Sequence, residues 1–161
     1  MSINRINNVY EIIDSRKPNS NKGDYGRLVS VCGSKGMAGS AILCAKAALR
    51  CGVGLVECVL PDSIYPIVAS NVHEAVYTIA DVETDGLKLL DKATALVAGC
   101  GLGLDNPKII YDILLNSKVP LVLDADALTI IAADPSFLKG AECPIIITRH
   151  PKEMLKIRQS E

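Results

Sequence analysis

The stretch ALVAGCGLGLDNP, residues 95–107, decides the fold of this chain. Its first four residues are all apolar, which is typical of a strand buried on both faces of a parallel sheet. The glycine-rich run at 99–103 then breaks the strand. Asn106 predicts a helix cap and Pro107 the first helical position, a place that suits proline. The stretch therefore predicts a strand, a loop and a helix in succession.

The same succession recurs along the chain. Short runs rich in Val, Ile and Leu lead into three further loops, which are GSKGMAGSA at 33–41, DADAL at 124–128 and TRHPKE at 148–153. The repetition predicts an α/β fold with three layers, in which helices cover both faces of a mainly parallel sheet. Because open α/β sheets bind ligands at the carboxyl ends of their strands, we expect all four loops on one rim.

Apolar patterning and turn residues set the expected element boundaries. Strands are predicted at 27–32, 55–60, 74–79, 95–98, 121–123 and 144–148. Helices are predicted at 38–50, from the turn at 61–63 to about 71, near 87–90, from 107 onward and at 127–132. Gly52 is expected at the C′ position of the first helix. The N-terminal part predicts a short amphipathic segment around 9–13 followed by loop.

Length and charge exclude several classes of protein. A chain of 161 residues predicts a single domain over 1–161, and its 17 basic and 18 acidic residues form no block of one sign. We therefore expect no nucleic-acid partner and no membrane partner. There is no signal-peptide pattern and no apolar run long enough for a membrane span, so a cytoplasmic location is expected.

The six cysteines are expected to be reduced and mostly buried. They include no C-x-x-C pair and have no histidine at ligand spacing, so neither disulfides nor a metal site is predicted. Free cysteine is among the residue types most often found inside proteins.

The loop at 33–41 resembles two phosphate-binding motifs and matches neither. A P-loop has its lysine directly after the second glycine, whereas Lys35 precedes Gly36. A dinucleotide fingerprint needs unequal spacing, whereas Gly33, Gly36 and Gly39 are evenly spaced. Two interpretations stay open, an anion held at a helix N-terminus and a plain tight turn.

The other loops carry further candidates. The alternate glycines of GCGLG indicate either backbone close to a ligand or a structural turn. Asp124 and Asp126 follow a buried strand, where one could cap a helix and a pair would also suit magnesium-phosphate or ribose contacts. His150 ends a predicted strand on the same rim and is either structural or functional. His73 has no partner at useful spacing and is expected to be structural or solvent-facing.

Taken together and in order, six segments resemble the NAD(P)H-hydrate dehydratase family, relatives of ribokinase that were earlier assigned to the carbohydrate kinases. The segments are KGDYG at 22–26, G-x-x-G-S-A at 36–41, GVGLV at 52–56, GCGLG at 99–103, LDADAL at 123–128 and TRHPKE at 148–153. The resemblance runs from about Lys22 to the last residues and implies a ribokinase-like fold.

The resemblance also implies an activity in nicotinamide nucleotide repair. Family members use ADP or ATP with Mg²⁺ to dehydrate hydrated NADH or NADPH, by phosphorylating the hydroxyl that then leaves as phosphate. Substrate contacts would carry over to Ser40, to His150 and to a glycine among Gly99, Gly101 and Gly103. Asp124 of the LDADAL segment joins them as a candidate substrate-binding residue.

The chain departs from the family pattern at several single positions. Ser40 stands where alanine is usual, and Cys100 and Arg149 stand where proline is usual. Lys152 stands where glycine is usual. None of these departures by itself would disable the site.

A larger departure concerns the family's catalytic segment. The family has a G-[TG]-G-D motif, which holds nucleotide phosphates and whose aspartate is the general base, and residues 1–161 contain no such motif. The resemblance implies that this aspartate lies beyond Glu161, which itself falls inside a helix predicted to start near Lys152. We therefore expect a truncated form or fragment with no catalytic residue of its own.

Two other functions remain open. The chain could be a non-catalytic ribokinase-like module that binds a nucleotide or a partner, or a small-molecule kinase of the same superfamily. The predicted strand at 144–148 is apolar on both faces, which is typical of a strand flanked by neighbours. Without the rest of the family fold it would lose that cover, so we expect a homo-oligomer, a complex with a complementary fragment, or aggregation.

Overall fold

The computed structural model describes residues 15–79 and 90–148 and contains one sheet of six parallel strands. The strands are β1 (Arg27–Val31), β2 (Leu55–Leu60), β3 (Val76–Ile79), β4 (Ala95–Ala98), β5 (Leu121–Leu123) and β6 (Ile145–Ile147). Their order is β3-β2-β1-β4-β5-β6, and all five neighbouring pairs are parallel.

Helices cover both faces of the sheet. They are α1 (Ala38–Arg50), α2 (Tyr65–Ala69), α3 (Lys108–Asn116), α4 (Asp126–Ala133) and α5 (Ser136–Lys139), with 3-10 turns at Lys22–Tyr25 and Asp62–Ile64. The helices α1 and α2 pack over one apolar cluster, and α3, α4 and α5 pack over the other. The predicted three-layer α/β fold is therefore confirmed.

Most predicted boundaries agree with the structure, and the differences have local causes. The cap predicted at Asn106 is wrong, because Pro107 itself occupies the N-cap position of α3 and makes no side-chain cap. The helix α5 was not predicted, since four residues are too few to show a helical period. Gly52 does follow α1 with φ +92°, as a C′ glycine should.

The KGDYG segment closes the amino-terminal rim of the sheet, opposite the candidate loops. The amide of Gly54 donates to the carbonyl of Tyr25 at 2.9 Å, and the amide of Leu55 donates to that of Gly26 at 3.1 Å. A Cβ on Gly54 would lie 1.7 Å from the carbonyl oxygen of Lys22. The segments KGDYG and GVGLV therefore occur together because they pack on each other.

One ion pair lies within the sheet. Arg27 Nη1 is 2.8 Å from Glu57 Oε2, and the Glu57 residue is only 4% exposed. Thr78 donates to the other carboxylate oxygen at 2.9 Å. A buried carboxylate needs such partners, because an unpaired buried charge is strongly unfavourable.

At the other end of the sheet, β6 is the last strand among the described residues. Its central residue, Ile146, is 58% exposed, so the expected cover on that face is not provided by residues 15–79 and 90–148. No helix in the described ranges is long and apolar enough to cross a membrane.

Several predicted features lie outside the described residues. They are the amphipathic segment at 9–13, most of the helix near 87–90, and the residues that follow Thr148. The last group includes Arg149, His150 and the predicted helix from Lys152 to Glu161. The structure therefore does not test these features, and the placement of the general base beyond Glu161 stays a prediction from the resemblance.

The structure joins none of the six cysteines in a disulfide, and they are less buried than expected. Cys32 and Cys58 are buried and Cys51 is exposed. The other three, Cys44, Cys100 and Cys143, are half-buried.

Candidate functional site at the carboxyl rim

The strand order places a crevice between β1 and β4. From β1 the sheet extends to β2 and β3 on one side and to β4, β5 and β6 on the other. The loops that leave β1 and β4 therefore diverge, and ligands of open α/β sheets bind at such a switch point. The loop at 33–37 and the glycine loop at 99–103 form the two sides of the crevice.

The glycine loop is fixed against the loop that follows β1 and against α1. The amide of Gly33 donates to the carbonyl of Cys100 at 2.9 Å, and Ser34 Oγ donates to the carbonyl of Gly101 at 2.9 Å. A Cβ on Gly101 would lie 2.5 Å from Ser40 Oγ. Two predicted site residues, Ser40 and Gly101, are thus brought together, and glycine is needed for their approach.

The three alternate glycines serve different purposes. Gly99 has φ +113°, and a Cβ there would lie 2.1 Å from the backbone oxygen of Asp124. Packing therefore explains both Gly99 and Gly101. Gly103 has φ +83°, and its nearest neighbour would be Ser34 Oγ at 3.7 Å. Among the three, Gly103 alone has room for a Cβ, which would be in ordinary contact with Ser34, so packing does not explain this glycine.

The two carboxylates of DADAL hold the glycine loop. Asp126 Oδ2 accepts from the amide of Gly103 at 2.8 Å, and Asp124 Oδ2 accepts from Cys100 Sγ at 3.5 Å. Neither aspartate caps α4, whose N-cap position is Ala125 and carries no side-chain cap. Of the two interpretations of these aspartates, the helix cap is therefore wrong, and both acidic groups bond instead to a loop that follows another strand.

Ala125 lies between these aspartates in a strained conformation. Its φ of +49° is the only positive value at a non-glycine residue in the described ranges. Such strain persists where the surrounding contacts determine the backbone, and it is concentrated at functional sites. The bonds of Asp124 and Asp126 on either side supply those contacts.

The first turn of α1 makes the crevice attractive to anions. Its N-cap residue, Met37, makes no side-chain hydrogen bond, and the first turn contains no acidic residue. The helix is 13 residues long, so its N-terminus carries a partial positive charge. Lys35 is exposed just before it. Ser40 lies in the first turn of α1.

A cavity of about 210 Å³ opens beside the crevice, between the loops that follow β1, β2 and β4. Its lining includes Ser34, Lys35, Ser63, Asp105 and Ile109. Sequence reasoning did not select Ser63 or Asp105, although both follow predicted strands and that position was the available signal. Ligand pockets typically measure roughly 300–1,000 Å³, so this cavity would hold part of a larger ligand.

The described residues do not assemble a metal site. No group of three or more His, Cys, Asp or Glu side chains with metal-binding geometry occurs among them. Asp124 and Asp126, the pair suggested for magnesium, are instead bonded to Cys100 and Gly103. We therefore assign no magnesium ligand to these carboxylates.

The fourth loop begins on the same rim. The amide of Thr148, which follows β6, donates to the carbonyl of Leu123 at the end of β5 at 3.1 Å. His150 lies outside the described residues, so its position relative to Ser40 stays a prediction. His73 is exposed, which agrees with the solvent-facing alternative of the two given for it.

Comparison with known proteins gives a consistent set of relatives. A family model described as NAD(P)H-hydrate dehydratase matches residues 28–160. The bifunctional NAD(P)H-hydrate repair enzyme of Moorella thermoacetica is 34% identical over 155 residues, which cover 88% of this chain and 29% of that protein.

Two solved structures show the same fold. The ADP/ATP-dependent NAD(P)H-hydrate dehydratase of Bacillus subtilis, co-crystallised with ATP and Mg²⁺, has a TM-score of 0.72 and 26% identity, covering 91% of this chain and 52% of that one. A ribokinase-like superfamily protein of Enterococcus faecalis has a TM-score of 0.85 and 23% identity, covering 92% and 54%. The chain thus spans about half the length of these structures.

Proposed function

The chain belongs to the NAD(P)H-hydrate dehydratase family, and on that premise we propose that it takes part in ADP- or ATP-dependent dehydration of hydrated NADH or NADPH. We assign to residues 1–161 the substrate-binding side of the active site. The Bacillus subtilis relative is named for this activity and was crystallised with ATP and Mg²⁺, which supports an adenine nucleotide and magnesium as its requirements.

The observation that carries the proposal is the crevice between α1 and the glycine loop. The uncapped helix N-terminus that includes Ser40 and the uncrowded backbone of Gly103 lie at the switch point of the sheet. Dinucleotides and nucleotides are anionic, and backbone amides at a helix N-terminus bind their phosphates well. The crevice therefore fits a phosphate-bearing ligand.

Dehydration through a phosphorylated hydroxyl depends mainly on positioning and charge stabilisation. In this proposal Lys35 and the α1 N-terminus attract the anionic ligand, and the braced backbone at Gly103 orients it. Asp126 acts as a positioning residue through its bond to the Gly103 amide. The described residues hold no group of three or more His, Cys, Asp or Glu side chains that could form a metal site, so we assign no magnesium ligand to them.

The family's general base belongs to a motif that residues 1–161 do not contain. We therefore expect this chain to bind ligands without turning them over. General acid–base catalysis contributes typically ~10²–10⁴-fold, and one charge-stabilising donor a further ~10²–10³-fold.

Calorimetric titration of the chain with NADH hydrate, NADH, ADP and ATP, together with an assay for NADH formation, tests the proposal. Ser40→Ala introduces the residue usual in the family and should leave binding almost unchanged. Lys35→Glu should weaken binding about tenfold, corresponding to ~1.4 kcal/mol. Lys139→Glu, an exposed charge change on α5, is the matched control.

Each outcome separates the candidate functions. Binding of the hydrate together with nucleotide supports the dehydratase assignment, whereas nucleotide binding without hydrate binding supports a non-catalytic module. Phosphorylation of a small alcohol by ATP would favour the kinase alternative. NADH formation by these 161 residues alone would contradict the expected lack of a base.

We also propose that the chain associates with a second copy or with a complementary fragment. The support is the exposed Ile146 on β6, the last strand of the sheet among the described residues. Exposed apolar edges pair readily with other chains.

A further inference from the structure

A second cavity opens on the amino-terminal rim of the sheet, at the opposite ends of the strands from the crevice. Its volume is about 350 Å³, against about 210 Å³ for the cavity beside the crevice. The strand β1 is five residues long, so at ~3.3 Å per residue the two rims are roughly 15 Å apart. The proposed dehydratase function places its ligand at the carboxyl rim and gives this cavity no role.

The lining of the amino-rim cavity is basic. It includes the side chains of Lys22, Arg27 and Lys92, together with Thr94. No acidic residue of the described ranges lines it. These residues come from separate segments, since Lys22 lies in the KGDYG turn, Arg27 begins β1, and Lys92 and Thr94 precede β4. The fold therefore brings three cations to one cavity, which suits an anionic ligand.

The segments that carry these cations are fixed to one another. The amide of Arg27 donates to Thr94 Oγ1 at 2.8 Å, and the amide of Thr94 donates to the carbonyl of Arg27 at 2.9 Å. A Cβ on Gly26 would lie 2.6 Å from Thr94 Oγ1, and one on Gly54 would lie 1.7 Å from the carbonyl oxygen of Lys22. The cavity walls are thus held by close backbone contacts, and such preorganisation lowers the cost of binding a ligand.

Arg27 is placed to serve the sheet and the cavity at once. Its Nη1 is 2.8 Å from Glu57 Oε2, and its side chain is still 30% exposed. A guanidinium has several N–H donors in a planar fork, so Arg27 can hold Glu57 and also donate to a ligand. Two exposed carboxylates are close along the chain. Asp24 accepts from the amide of Asn21 at 2.8 Å, and Asp91 does not line the cavity.

We propose that this cavity binds a small organic phosphate, whose phosphate group is held by Lys22, Arg27 and Lys92. A planar guanidinium and flexible ammonium groups both form charge-assisted hydrogen bonds with phosphate oxygens. Ligand pockets typically measure roughly 300–1,000 Å³, so a cavity of about 350 Å³ also has room for an attached group such as a pentose. The inference rests on the amino rim and does not depend on the proposed dehydratase activity.

The test is a titration of the isotope-labelled chain with ribose phosphorylated at its primary hydroxyl, followed by amide NMR. The amides of Gly23, Gly26 and Thr94 should show saturable shifts, because these residues line the cavity. Ribose itself should cause no such shifts. Inorganic phosphate should shift the same amides but bind more weakly, since it lacks the group that occupies the rest of the cavity.

Charge variants test the assigned contacts. Lys92→Gln and Lys22→Gln should each weaken binding about fivefold, the size expected for one charge contact at a partly exposed site. Arg27 is kept, because its loss would leave Glu57 unpaired. Lys46→Gln, which changes an exposed lysine within α1, is the matched control and should bind like the unmodified chain. Lys35→Glu at the crevice should also leave the three amide shifts unchanged.

Four results would overturn the proposal. They are the lack of a saturable shift at the three amides, equal shifts with ribose alone, binding of inorganic phosphate but not of the ester, and equal loss of affinity in the Lys46→Gln and Lys92→Gln variants. Loss of ligand binding in the Lys35→Glu variant at the crevice alone would bear on the proposed function and not on this site.

Discussion

Replacing Gly99 by alanine should destabilise the fold by about 2–5 kcal/mol. The residue has φ +113°, and its new Cβ would lie 2.1 Å from the backbone oxygen of Asp124 and 2.5 Å from Ala127 Cβ. Strain at positive φ costs roughly 1–2 kcal/mol, and overpacking a rigid site costs typically ~1–3 kcal/mol more. The neighbours are backbone and an alanine methyl group, so neither can turn away.

Two other glycines separate these contributions. Gly36 has φ +87° but nothing within 4 Å of an added Cβ, so Gly36→Ala should cost only the roughly 1–2 kcal/mol of strain. Gly39 lies in α1 with open space and no positive φ. Gly39→Ala should therefore stabilise the chain by about 0.5–1 kcal/mol, because alanine is the better helix former.

Urea denaturation followed by circular dichroism measures all three differences on one scale. With a slope m of about 2 kcal/mol/M, the Gly99→Ala midpoint should fall by roughly 1–2.5 M. The urea midpoint should be highest for Gly39→Ala, lower for the unmodified chain, lower again for Gly36→Ala, and lowest for Gly99→Ala. A Gly99→Ala variant as stable as Gly36→Ala would refute the assigned crowding against the Asp124 backbone.

Three further outcomes are expected. Arg27→Met should destabilise the chain by about 3 kcal/mol in urea titration, since it leaves the buried Glu57 carboxylate without its cation. Asp126→Ala should cost roughly 1–3 kcal/mol and speed hydrogen exchange of the Gly103 amide, which loses its acceptor. Ile146→Asp should shift sedimentation of the chain toward monomer, because it places a charge on the exposed β6 face.

Each change has a control of the same chemistry elsewhere. Lys118→Met removes the cation of the exposed pair with Glu142 and should shift the urea midpoint far less than Arg27→Met does. Asp112→Ala removes a carboxylate bonded to a lysine of its own helix and should leave exchange in the glycine loop unchanged. Ile67→Asp changes a half-exposed apolar residue on α2 and should not alter association. If a control variant had the same effect as the variant it is paired with, the contact assigned to that paired residue would be contradicted.

Local patterns in the sequence were enough to predict most of the elements and their layers. The apolar runs of β4 and β5 predicted buried parallel strands, and the small residues of α1 with Gly52 behind them predicted that helix to its last residue. These features depend on neighbours within a few positions, so a single sequence carries them. The ordered motifs likewise predicted the family, which the match over residues 28–160 confirmed.

Only the tertiary structure decided which loops contact one another and through which residues. Asp124 and Asp126 suited helix caps and ligand groups equally well, and their bonds to Cys100 and Gly103 depend on residues more than 20 positions away. The same holds for the reason why Gly99 and Gly101 must be glycine. Such contacts follow from strand order and register, which are set by packing between distant segments and leave no local pattern in the chain.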